Sequence, residues 1–270
     1  MKQNKIHLYF SLILILLFII CSFPVSIIRE SFDNAFNKDS FDVYLINLDR
    51  NKNRLQQFLK QYQESDLNGK KFFRIQATDG KTINISKYLT DTAFKEIKNI
   101  ENTVHRTMHY QLTRGAIGCY LSHLNTYKHI MDGNTNYGLI FEDDVNIPKE
   151  FYSQMLNALK KIPNSWDMLL LGCYCIKCED KNVVNHVTKF ILLHCYIVKK
   201  HAAKKLYDHL VQKPIRQQID SEISDLIANE NFLRVYCLKN PICLQGGDFK
   251  TEIQVPVKQT KGVNPFNSVS

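Results

Sequence analysis

A short apolar run, Tyr137-Gly138-Leu139-Ile140-Phe141, stops at three adjacent carboxylates: Glu142, Asp143 and Asp144. Carboxylates this close repel one another and raise one another's pKa unless a cation or strong donors compensate. A hard divalent ion, Mg2+ or Mn2+, is the natural compensator, because it takes oxygen ligands and often carries substrate phosphates with it. A solvated acidic turn is the plain alternative. The surrounding fold separates the two, since ligands of open α/β sheets bind at the carboxyl ends of strands.

The elements around the run supply such a frame. Asp132-Gly133-Asn134 marks a turn upstream, so the apolar run reads as a buried strand. Phe41 to Leu48 is near-continuously apolar, as in a strand covered on both faces. Leu55, Phe58, Leu59 and Tyr62 follow at helical spacing, behind Arg50, Lys52 and Arg54. Strand, short turn and basic helix start form a first βα unit, whose helix N-terminus suits phosphate. Lys71 to Ala77 predicts a second strand, closed by the turn Thr78-Asp79-Gly80. Residues 81–112 are polar and irregular and read as an insertion or mobile loop over the site. Gly115 to Met131 predicts a helix with Ile117, Leu121, Leu124 and Met131 toward the core. Its small residues Gly115, Gly118 and Ser122 form a second stripe that lets backbone or ligand approach. His123 lies elsewhere on this helix; a lone helical histidine is more often structural than catalytic. Further on come a helix over 149–161, strands at Trp166–Gly172 and His194–Val198, helices at His201–Val211 and Gln217–Asn229, and a strand at Arg234–Leu238. This alternation predicts an α/β fold with a mostly parallel sheet and helices on both faces.

Composition sets outer bounds. With 270 residues, 44% hydrophobic and 23% charged, the chain can bury one ordinary core. Its net charge of +9 is scattered rather than blocked, which suits an anionic small substrate or simple solvation. No aromatic-basic signature points to nucleic acid. Lys2 and Lys5 precede an uncharged apolar run, Ile6 to Ile28, long enough to span a bilayer. The reading is a type II signal-anchor: residues 1–5 cytosolic, 6–28 transmembrane, 29–40 a stem, 41–255 the folded domain and 256–270 a flexible tail. A cleaved signal peptide is the alternative, but Cys21-Ser22-Phe23-Pro24 offers no small-x-small cleavage site. The expected location is the membrane, with the domain lumenal or extracytoplasmic; Asn84-Ile85-Ser86 is a glycosylation sequon consistent with that. Cys173-x-Cys175-x-x-Cys178 invites zinc, yet it lacks a paired knuckle and no nearby histidine completes it. Disulfides or buried thiols are the preferred reading.

Taken together these segments resemble glycosyltransferase family 25. The matching pieces are Val43 to Arg50 with Arg54, Phe73 to Gly80, Leu112 to His123, Leu139 to Asp144, Trp166-Asp167, His194 to Val198, and Pro214 to Asp220. The resemblance implies a GT-A-like, Rossmann-like fold and transfer of a hexose, galactose or glucose, from a UDP-sugar. Inversion is implied, with a glycan, a lipid-linked glycan or a protein hydroxyl as acceptor. It implies Mn2+ or Mg2+ held by Asp144 and Glu142, with Glu142 or Asp143 touching the donor. Asn47, Asp49, Arg50, Arg54, Arg74, Asp79 and Ser122 are expected on the donor side, and Gln245 more weakly. Asp220 is the expected base and His123 a second catalytic candidate. Arg114 and Ala116 replace the family's usual Pro and Glu, Leu193 replaces a small polar residue, and Arg216-Gln217-Gln218 replaces an aromatic-containing acceptor segment. The donor half is therefore intact and the acceptor half divergent, which keeps open an inert relative that binds sugar nucleotide or a partner.

Overall fold

A computed structural model describes residues 36–37, 39–103, 111–179, 183–230 and 232–246. The chain divides into two units, 1–40 and 41–270. The expected cytosolic segment, membrane span, most of the stem and the tail lie outside the described residues. In the first unit Ser40 N donates to Asn37 O, closing a local turn. Among the described residues no helix is long and apolar enough to cross a membrane.

The second unit carries the strands β1 (Phe41–Asn47), β2 (Phe72–Gln76), β3 (Tyr137–Glu142), β4 (Val145–Asn146), β5 (Met168–Cys178), β6 (Val184–Lys199), β7 (Val235–Leu238) and β8 (Leu244–Gln245). Its helices are α1 (Lys52–Glu64), α2 (Asp91–Thr103), α3 (Arg114–Asp132), α4 (Phe151–Leu159), α5 (Lys200–Leu210) and α6 (Ile219–Glu230). The main sheet has the order β2-β1-β3-β6-β5-β7, and β4 pairs with β8. Only β6 runs against the other strands of the main sheet. The fold is thus mixed α/β with a mostly parallel sheet.

Helices cover both faces. Tyr44, Ile46, Ile140, Leu170 and Tyr196 share one apolar cluster with α3, α5 and α6. The alternate residues face the other way, where Phe141 meets Phe58 of α1 and Phe151 of α4. Burial from two sides is why β1 reads as continuously apolar.

Three expectations change. The supposed loop over 81–112 contains α2, whose Ala93, Ile97 and Ile100 are buried. Their spacing is helical, but Lys95, Glu96, Lys98 and Asn99 on the outer side dilute it. Residues 104–110 of that stretch lie outside the described residues. On α3 the buried face runs through Ile117, Tyr120, Leu124, Tyr127 and Ile130, while Leu121 and Met131 are only half-buried. Tyr120 and Tyr127 bury large rings in the core beneath this face. Finally, β5 and β6 outrun the apolar segments that announced them, and they pair as an antiparallel hairpin. Their outer halves are half-exposed, so hydrophobicity there does not mark a strand.

The stripe of small residues on α3 admits backbone. A Cβ at Gly118 would collide with Thr78 O, and one at Gly80 with Arg114 O. Ser122 Oγ accepts from Thr78 N at 2.8 Å and donates to Gly118 O at 2.6 Å. These contacts fix the turn after β2 against the start of α3.

Candidate active site

In the sheet Ile46 of β1 stands opposite Glu142 of β3, and Asn47 opposite Gln76 of β2. The loops after all three strands therefore emerge at one edge, where α1 and α3 also begin. Between them lies a cleft of about 70 Å3, lined by the acidic run and by Arg50, Arg54, Asp79 and Ser122.

The fold makes the three carboxylates unequal. Glu142 Oε1 lies 3.0 Å from His123 Nε2 and accepts from Cys119 Sγ at 3.6 Å. His123 Nδ1 is 2.8 Å from Tyr196 OH, which in turn lies 3.0 Å from Tyr127 OH. A buried chain of hydrogen bonds thus ends on Glu142. Burial pushes Glu142 up, but the His123 hydrogen bond and the fields of His123 and His194 outweigh it and hold the carboxyl below its usual range. Burial, then Glu142, pushes the Cys119 thiol well up, so it stays a protonated donor.

Asp143 turns inward. It accepts from Asn47 Nδ2 at 2.6 Å and from Arg54 Nη1 at 2.9 Å. Burial raises its pKa despite these donors. Asp144 is different again. Its Oδ2 accepts from Gln245 Nε2 at 3.0 Å, with Arg54 Nη1 at 3.6 Å, while its buried Oδ1 has no hydrogen-bond partner. Burial, and next the charge of Glu142, raises Asp144 to about 6. Gln245 reaches it because β8 pairs with β4, Val145 opposite Gln245.

The expected site residues sort by position. Arg50 and Asp79 line the cleft and are ion-paired with each other. Arg54 lines it too, but its guanidinium is committed to Asp143 first and Asp144 second. Asn47, Asp49 and Arg74 stand outside the lining: Arg74 bonds Asn47 Oδ1 at 2.8 Å and Asp49 Oδ1 at 2.7 Å. His123, expected as a second catalytic candidate, is buried behind Glu142. It has no exposed surface and both ring nitrogens are engaged, so it reaches a substrate only through Glu142. Asp220, in the first turn of α6, accepts from Leu192 N at 2.9 Å and Ser221 N at 2.7 Å. It is not among the cleft-lining residues. Its carboxyl is deeply enclosed although the residue keeps some surface, and burial raises it against those backbone bonds. It also pins Leu192, whose φ of 71° is left-handed and strained for a side chain.

Four residues were not singled out from the sequence. Asn51, Lys81 and Cys119 line the cleft, and the buried Asn51 Nδ2 there has no partner. Each adjoins a recognisable signal: the helix start, the Asp79-Gly80 turn and the glycine-rich block. The fourth is His194, whose Nε2 is 3.2 Å from Cys243 O and therefore carries the proton. Burial pushes this imidazole below its usual range, against the opposing pull of Glu142.

Residues 41–223 match the family described as Glycosyltransferase family 25 (LPS biosynthesis protein). The chain is 30% identical to procollagen galactosyltransferase 2 of Mus musculus over 143 residues, 50% of this chain and 21% of that protein. It is 24% identical over 194 residues to a Bos taurus protein named probable inactive glycosyltransferase 25 family member 3, covering 68% of this chain and 31% of that one. The chain thus spans less than a third of the length of these curated relatives. Among solved structures, S. aureus TarS 1-349 aligns with a TM-score of 0.40 at 12% identity, over 77% of this chain and 60% of that one. The matched segment runs from β1 into α6 and takes in the whole acidic cleft. The chain belongs to glycosyltransferase family 25.

Proposed function

We propose that the protein transfers galactose or glucose from a UDP-sugar to a hydroxyl of a glycan or a hydroxylysine-type protein acceptor, with inversion and with the help of Mn2+ or Mg2+. The observation that carries this reading is Asp144, which lines the cleft beside a second carboxylate, Glu142, and whose buried Oδ1 has no partner. Two carboxylates with one uncompensated oxygen fit a hard divalent ion. When bound there, the ion would neutralise charge growing on the diphosphate leaving group.

The chain's own groups prepare that site. Gln245 holds Oδ2 of Asp144, and Oδ1 is the oxygen left without a partner. His123 fixes Glu142 in the same way. Arg50 and Lys81 put positive charge at the mouth, and Arg50 would exchange Asp79 for phosphate as donor enters. Asp220 is the proposed base, on the acceptor side; its charge and that of Glu142 act on each other. The span expected at residues 6–28 would hold the domain at a membrane on the lumenal or extracytoplasmic side.

The direct test is release of UDP or GDP from a panel of sugar nucleotides, with and without Mn2+. The expected result is slow hydrolysis of UDP-galactose or UDP-glucose that EDTA abolishes. Metal-independent release, or release from GDP-sugars alone, would sink the reading. In the same assay Asp220→Asn should keep donor hydrolysis and lose transfer by about 100-fold or more; normal transfer would leave Asp220 only as the anchor of Leu192.

His123→Gln tests positioning. Loss of the buried donor should cost about 1–3 kcal/mol in chemical denaturation and weaken Mn2+ activation about 10- to 100-fold. Unchanged Mn2+ dependence with lowered stability would make His123 purely structural.

A second reading, a binding relative without turnover, is favoured by one observation. The divergent acceptor segment is tied to α6, Arg216 to Glu222 at 3.0 Å and Gln217 to Asp225 at 2.7 Å. UDP binding by calorimetry without hydrolysis or transfer would establish it.

A further inference from the structure

The outer end of the β5–β6 hairpin carries a sulfur cluster that takes no part in the cleft. Cys173, Cys175 and Cys178 lie along β5, and Cys237 lies on β7, the strand that pairs in parallel with β5. Strand alternation places Cys173 and Cys175 on one face and would send Cys178 to the other. Register shifts at Cys175/Lys177 and Lys177/Cys178 reverse that, because a bulge re-aims the side chain that follows it. The sulfurs of Cys175, Cys178 and Cys237 all lie within 4.8 Å of one another, with Cys178 Sγ 3.5 Å from Cys237 Sγ. Cys173 completes the group by donating a hydrogen bond to Cys237, which is 1% exposed. In this structure Cys175 and Cys178 are disulfide-bonded. That bond engages two sulfurs and leaves two more packed against it.

We propose that the reduced cluster is a thiolate site for a soft divalent ion of the zinc class, held by Cys175, Cys178 and Cys237 with Cys173 as fourth ligand. In a tetrahedral site with Zn–S near 2.3 Å the sulfurs stand about 3.8 Å apart, and the observed separation of Cys178 and Cys237 lies close to that. Two equivalents of a low-molecular-weight thiol reduce the Cys175–Cys178 bond to two thiols and leave as their own disulfide. One Zn2+ then replaces the four thiol protons. Thiolates select zinc over the hard ions suited to Glu142 and Asp144, so the two sites do not compete for one metal. The benefit is mechanical: the outer half of β5 is half-exposed, and the ion would tie it to the buried Cys237 of β7.

The test uses the full chain purified under thiol reductant, analysed for zinc, then exchanged with Co2+. About one zinc per chain is expected, with a sulfur-to-cobalt charge-transfer band that a carboxylate site does not produce. Cys237→Ser should lower both at least tenfold. Because serine at that buried position can unfold the chain, Cys175→Ser, half-buried, is the second variant, with circular dichroism reporting the fold. Reduced, folded protein that holds no zinc and shows no cobalt–sulfur band overturns the proposal. So does full zinc retention in both variants.

Discussion

An Asp144→Asn variant is expected to lose metal-dependent UDP release by about 10^2- to 10^4-fold, the several kcal/mol that a correctly held ion contributes to charge stabilisation. The same variant should be more stable than the parent. Burial first and Glu142 second raise Asp144 from 3.8 to about 6. Between those values the folded state binds more protons than the unfolded one, so stability falls as pH rises through the window and the full penalty stands above about pH 6. At 1.36 kcal/mol per unit the penalty is about 2–3 kcal/mol. Asparagine carries no charge and removes it. Urea titrations near neutrality should therefore favour the variant, and the difference should shrink toward about pH 4. Added Mn2+ should stabilise the parent and leave the variant unmoved. A variant less stable than the parent at neutral pH would mean the carboxylate is compensated in the metal-free protein, and the argument for an ion would lose its footing.

Arg54→Ala should act in the opposite direction. The Arg54 side chain is 9% exposed, bonded to Asp143 at 2.9 Å and 3.6 Å from Asp144. Removing it leaves two buried carboxylates without their cation, a loss of about 3–5 kcal/mol. Both carboxyls are already raised by burial. Without Arg54 they rise further, so the loss should be greatest at neutral pH and lessen on acidification as they take up protons. Adding Asp143→Asn should recover a large part, because the two residues are in contact and their effects do not add. A loss below about 1 kcal/mol would place the pair among solvent-screened surface bridges. The contrast between the two variants separates the carboxylate that serves the fold from the one that strains it.

Much of this was legible in one dimension. β1 and β3 are buried on both faces, so their side chains must be apolar at nearly every position, and the pattern announces itself. The glycine-rich start of α3 was legible because close backbone approach at Gly80 and Gly118 excludes a side chain. α2 escaped because only one side of it is buried and charged residues interrupt the stripe. The outer parts of β5 and β6 escaped because a half-exposed strand carries no hydrophobic signature.

The amino-acid sequence alone determined the family, the mostly parallel α/β frame and the place of the carboxylates at a strand end. The family is carried by motifs kept in order along the chain, the other two by local spacing. The tertiary structure alone decided what each carboxylate does: Glu142 held by His123, Asp143 neutralised by Arg54, Asp144 left with one bare oxygen beside Gln245. It also brought Cys237 to Cys178 across 59 residues. Those roles depend on which partner arrives from a distant segment, and on how much water the meeting excludes. Neither quantity has a period or a spacing that the chain could display.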